Sequence, residues 1–194
     1  MNLKGESPEG DAMVAVVLLY VGAVLFLNGI WLIGQSSDSS ALKISNKEIA
    51  VINVFTGTLG FLVAIYAIYL GGARNDIGFV ALGGYILLFA FTYLWVAINQ
   101  YTGADGRALG WYSLFVAITA VPTGFKVLAD AGGNPWLVWL GLDWLAWAVL
   151  WFLFFVLLTL QRPIARFTGY VTALEGIFTA WLPAWLLFQG YLKM

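Results

Sequence analysis

PWLVWLGLDWLAWAVLWFLFFVLLTLQ, residues 135–161, carries a single charge, Asp143. A helix that crosses the hydrocarbon core of a bilayer needs roughly 20 apolar residues. This stretch is long enough to do so, and five more share its character. Ala12 to Ser37, Ile49 to Ala73, Ile77 to Ala104 and Ala108 to Phe125 are uncharged, and Phe167 to Leu192 is interrupted only by Glu175. Spans are expected at roughly 12–34, 49–71, 77–98, 109–129, 136–161 and 168–191. The fold class is an all-α membrane protein of six transmembrane helices. Residues 1–11, MNLKGESPEGD, read as a disordered tail, and 12–194 as one transmembrane domain.

Composition supports this reading. Of 194 residues, 62% are hydrophobic and 10% are charged, with mean hydropathy +0.89. Soluble domains have about 25% charged residues. Nine basic and ten acidic residues leave a net charge of −1, which excludes a charge-driven nucleic-acid binder. No cysteine and no histidine is present, so disulfides, thiolate or imidazole metal sites and Ser-His-Asp chemistry are excluded. No phosphate-cradling or dinucleotide glycine motif occurs, and neither a cofactor nor a metal is expected. The first span is too long for a signal-peptide core. Gly, Asn, Asp and Pro mark the connectors GGARND, NQYTGADGRALG, ADAGGNP and QRPIAR. Lys43, Lys47, Arg107, Arg162 and Arg166 lie on the side opposite the termini, against Arg74 and Lys126 in the loops on the terminal side. The excess of basic residues places both termini outside.

Two carboxyl groups interrupt the spans. Glu175 lies nine positions after Arg166, roughly 13 Å along a helix. At that depth it should face the bundle interior or a wet path; the alternative is a helix starting at Gly176 with Glu175 at the interface. Asp143 precedes an uncharged run that nearly spans by itself, so an interfacial position is expected. Trp136 and Trp139 fit an interfacial belt. Trp144, Trp147 and Trp151 instead share one helix face, either a lined pathway or a packed aromatic stripe. Phe89 and Tyr93 form an i, i+4 pair. Val14, Leu18, Val21, Leu25 and Asn28 recur at helical spacing, and Asn28 must find a partner inside lipid. Gly22 and Gly29 suit close helix packing. FTYLWVAI and WYSLFVAI, and likewise WLAWAVLW and TAWLPAWLLF, suggest a repeated two-helix unit. Pro122 and Pro183 are expected to kink their helices or mark where backbone groups find new partners.

VLLYVGAVLFLNGI (17–30), FAFTYLWVAIN (89–99), WYSLFVAITAVP (111–122), WLAWAVLW (144–151) and ALEGIFTAWLPAWLLF (173–188) together resemble the AmiS/UreI family. These are bacterial inner-membrane channels for urea and short aliphatic amides. The resemblance implies three two-helix hairpins around a protomer pore, assembled as a homo-hexameric ring sealed by lipid. By motif position it implies an inner constriction of Trp147, Leu150, Trp151, Phe89, Tyr93 and Glu175. Trp144, Val14, Leu18, Val21, Leu25 and Asn28 would line the outer path. Urea or short amides would be the permeants, consumed by cytosolic urease or amidase. Where an acid-gated member carries another pore tryptophan, this chain has Leu140. Without histidine, gating by imidazole protonation is impossible, and a channel open at neutral pH is expected. Two other readings are a proton-coupled carrier using Glu175, weakened by the lack of a second buried acid, and a non-transporting subunit with merely packed aromatics.

Overall fold

The computed structural model describes residues 8–35 and 37–193, with side chains from residue 13 onward. Helix α1 covers Pro8–Gly34, α2 Asn46–Arg74, α3 Ile77–Thr102, α4 Arg107–Asp130 and α5 Pro135–Leu158. The last span is composite: α6 (Ala165–Glu175), a π-helical stretch (Gly176–Trp181) and α7 (Leu182–Phe188). Among the described residues, six helical segments are long and apolar enough to cross a membrane. Of the tail expected over 1–11, residues 8–11 belong to α1, and 1–7 lie outside the described residues.

Local chemistry sets the helix ends. Ser45 accepts from the Glu48 backbone N–H at 3.2 Å, with Glu48 in the first turn. Such a cap satisfies an otherwise orphaned donor. Asp76 caps α3 in the same way. Asn134 caps α5, and Pro135 follows in its first turn, where a missing N–H costs nothing. Asn75 (φ 52°) and Gly103 (φ 72°) end α2 and α3 in the left-handed conformation.

Small residues decide which helices pair. Gly57 and Gly60 of α2 lie against Ala90 of α3, and Gly83 of α3 against Ala64 and Ile68 of α2. Gly124 of α4 meets Gly141 and Leu145 of α5. Both pairs are sequential and antiparallel. The third pair is different: α1 packs on the final span, Gly22 against Gly176 and Trp181, Gly29 against Gly169 and Ala173. These helices are the first and last of the chain, so the third pair is not a hairpin. FTYLWVAI and WYSLFVAI fall on α3 and α4, which touch little. Their contact is made by side chains: the Trp95 and Tyr112 rings are 5.6 Å apart, and Tyr112 donates its hydroxyl to the Leu88 carbonyl at 3.1 Å.

The helix α4 runs unbroken through Pro122, with Thr119 and Thr123 hydroxyls bonding carbonyls one turn back. Pro183 is the second residue after the π stretch, in the first turn of α7. A proline cannot donate to the carbonyl four residues before it, and the wider turn resets the register ahead of it.

Between α1 and α2, Asn28 and Asn53 exchange side-chain hydrogen bonds of 3.1 and 2.8 Å, and Asn53 also donates to the Ile49 carbonyl. Asn53 is fully enclosed. Replacing one partner orphans a buried amide, which costs about 1–3 kcal/mol. Asn53→Leu and Asn28→Leu should each lower the unfolding free energy in detergent by about that amount, with the double variant less than additive. Additive losses would show that the pair is not a unit.

Candidate functional site

Two cavities lie among α1, α3, α4 and α5; α2 lines neither. The first, about 210 Å³, runs from Phe89, Trp147 and Trp151 toward Trp31, Gln100 and Asp105. Those residues sit at the end of α1, the end of α3 and the α3–α4 turn. The second, about 180 Å³, runs from Phe89, Trp144 and Trp147 toward Val14, Gly78 and Asp130. These lie near the start of α1, the start of α3 and the end of α4. The cavities therefore lead to opposite ends of the bundle. Phe89 and Trp147 line both.

Where the cavities meet, the aromatic rings touch edge to face. The Phe89 ring is 4.9 Å from Trp147, 4.6 Å from Trp151 and 5.9 Å from Trp144, centroid to centroid. Trp144 and Trp147 are 5.3 Å apart, and Tyr85 is 5.2 Å from Trp144. Edge-to-face pairing is the arrangement that ring quadrupoles favour. Hydrogen bonds fix the cluster to the last span. Trp147 donates its indole N–H to the Thr179 hydroxyl at 2.8 Å, and Thr179 donates to the Glu175 carbonyl at 2.7 Å. Thr179 belongs to the π stretch, so the widened turn and the ring orientation are coupled.

Most of the residues singled out from sequence line these cavities. Leu25, Asn28, Tyr93, Leu150 and Trp151 line the first. Val14, Leu18, Val21 and Trp144 line the second, as does Leu140. Asn28 holds this place while its amide is committed to Asn53. Glu175 lines neither cavity. It lies about 15 Å along the last span from Ala165, and its backbone carbonyl accepts from the Thr179 hydroxyl.

Asp143 departs from expectation. It is only 3% exposed rather than interfacial. Because α5 begins at Pro135, Asp143 is about 12 Å into the helix. Trp136, expected in an interfacial belt, is 1% exposed and enclosed in the core. Trp139 donates its indole N–H to the Phe178 carbonyl instead of to the interface. Asn53, Tyr85 and Thr179 were not singled out from sequence. Thr179 had one legible signal, its position four residues after Glu175 on the same helix face.

The fold and site thus define a multi-pass helical membrane protein whose interior is hollowed from both ends toward one aromatic cluster. Residues 13–191 match the model of the AmiS/UreI family transporter, and the chain belongs to that family. It is 38% identical to the acid-activated urea channel of Helicobacter pylori over 202 aligned positions, covering 91% of this chain and 97% of that protein. It is 41% identical to a putative amidate substrates transporter protein of Mycolicibacterium smegmatis, covering 92% of this chain and 78% of that one. The crystal structure of the urea channel from the human gastric pathogen Helicobacter pylori superposes with a TM-score of 0.79 at 37% identity, covering 93% and 99% of the two chains.

Proposed function

We propose that this protein is a passive channel for urea or short aliphatic amides in the bacterial inner membrane, with one path per protomer. The carrying observation is that two cavities leading to opposite ends share Phe89 and Trp147. A small planar amide slips between ring faces and edges, whereas a hydrated ion would lose water without compensation. Leu25, Val21, Leu18, Val14, Asn28 and Trp144 form the approach to this constriction. Tyr93, Leu150, Trp147, Trp151 and Phe89 form the constriction itself, and Glu175 acts from behind it. Few polar groups line the path, so a permeant binds weakly and leaves quickly.

The relatives' permeants support the substrate class. Exposed apolar side chains on α2 and α4, among them Phe55, Leu62, Trp111 and Phe115, suit lipid or a neighbouring copy in a homo-hexamer. Both termini lie outside by the distribution of basic residues. Cytosolic urease or amidase would consume the permeant and maintain its gradient.

Stopped-flow light scattering on proteoliposomes tests this. Urea and acetamide should enter fast and without accumulation, at rates differing by less than about twofold between about pH 7.5 and about pH 5, since no histidine titrates there. Influx no faster than in empty liposomes would overturn the channel reading, and uphill accumulation would assign a proton-coupled carrier.

A further inference from the structure

The motif FAFTYLWVAIN (89–99) supplies Phe89 and Tyr93 to the constriction, but its last residue, Asn99, has no part in the path described so far. Phe89, Tyr93, Val96 and Asn99 follow helical spacing, and all four line the first cavity. Asn99 lies roughly 15 Å along α3 from Phe89. It is 8% exposed. Its backbone carbonyl accepts from Gly103 at 2.8 Å, whereas its side-chain amide makes no hydrogen bond to the protein.

Other polar groups of the cavity are engaged elsewhere. Asn28 is committed to Asn53, Ser113 donates to the Leu109 carbonyl at 2.8 Å, and Thr92 donates to the Leu88 carbonyl at 2.7 Å. Asp105 pairs with Arg107. Gln100 is only half-buried, where the cavity opens. Beside the Asn99 amide the wall is bare or apolar. A Cβ on Gly106 would lie 3.9 Å from Asn99 Nδ2 and 3.3 Å from Leu158 Cδ2, and the glycine at that place has no side chain to cover the amide. Leu109 and Leu157 line the same end. A buried amide without partners costs stability, and folded proteins rarely keep one without a use. A lone water serves poorly here, because it needs about two to four polar partners of its own.

We propose that Asn99 is a carboxamide-recognition site in the first cavity, taking the planar N–C=O group of urea or a short primary amide through two hydrogen bonds. An asparagine side chain presents a carbonyl oxygen and N–H donors in one plane. A primary amide presents the same pair, so donor meets acceptor twice when the two groups lie edge to edge. An ion finds no opposite charge there, and a ketone offers an acceptor alone. The ligand class rests on the channel reading above; the site itself rests on the enclosed, unpartnered amide. Among the described residues no Asn or Gln lines the second cavity. The path therefore has this station on one side of the ring cluster only.

Solid-state NMR of the full chain in lipid, with isotope-labelled asparagine, reads occupancy without reference to transport. The Asn99 side-chain signal is identified by its loss in Asn99→Leu, or in Asn99→Asp should that variant not fold. Acetamide should shift it saturably, while the signals of Asn53, enclosed against Asn28, and of Asn134, capping α5, stay in place. Acetone has nearly the same size and shape but no N–H donor. It should need about fivefold higher concentration, the worth of one net hydrogen bond. A signal that acetamide does not move would overturn the proposal. So would equal half-saturation by acetone, which would assign the contact to shape rather than to paired hydrogen bonds. Influx into proteoliposomes judges the channel reading separately: an Asn99 shift in a protein that does not conduct would keep the site and discard the channel.

Discussion

Phe89→Ala is expected to raise the entry of amides larger than acetamide, such as butyramide, by at least about tenfold, with a much smaller change for urea. The Phe89 ring touches Trp144, Trp147 and Trp151, and it is the element common to both cavities together with Trp147. Each aromatic contact contributes about 0.5–1.5 kcal/mol. A bulky permeant must part these rings to pass, so removing three contacts lowers its barrier by roughly 1.5–4.5 kcal/mol. At about 1.4 kcal/mol per tenfold, the lower bound alone predicts a tenfold rise. Urea is small enough to pass with less parting and gains less. Phe55→Ala on the exposed face of α2 should change nothing. Stopped-flow rates for urea and butyramide settle the matter as a ratio. An unchanged ratio in Phe89→Ala would show that permeants do not pass between Phe89 and Trp147.

What could be read from the sequence follows the range of the interaction involved. The six spans were legible because insertion depends on run length, a local property. The stripes Val14, Leu18, Val21, Leu25 and Trp144, Trp147, Trp151 were legible because the helical period places them on one face. Asp143 was misplaced because the uncharged run after it could nearly span alone, whereas its enclosure comes from packing against other helices, which no local run reports. The role of Asn28 required Asn53, a partner 25 positions away on another helix. The π stretch gives no periodic signal, although Pro183 marks its neighbourhood. The pairing of α1 with the last span was likewise illegible. Gly22 and Gly29 announced a close neighbour, but nothing local says which one.

That pairing carries the largest expected loss of stability. In Gly29→Val the new Cβ would lie 2.6 Å from the Ala173 nitrogen and the Gly169 carbonyl oxygen, both backbone atoms of α6. Backbone cannot step aside as a flexible side chain can, so α1 and α6 must separate. The glycines face each other reciprocally: a Cβ on Gly169 would be 2.8 Å from the Gly29 oxygen, and one on Gly176 2.9 Å from the Gly22 oxygen. Lipid offers no hydrophobic drive to hold helices together, and such seams depend on close backbone approach. Overpacking costs about 1–3 kcal/mol when side chains can yield. Here they cannot, and Gly29→Val should cost at least the upper end of that range. Folded protein recovered by size exclusion should fall severalfold. Gly72→Ala and Gly84→Ala provide the contrast, since a Cβ at either position meets nothing within 4 Å. Both sit inside helices, where this change stabilises by about 0.4–1 kcal/mol through the unfolded chain. The same kind of substitution should therefore act with opposite signs in one protein. Wild-type recovery and thermal stability for Gly29→Val would mean that α1 does not lie against α6, and the arrangement of the third helix pair would have to be abandoned.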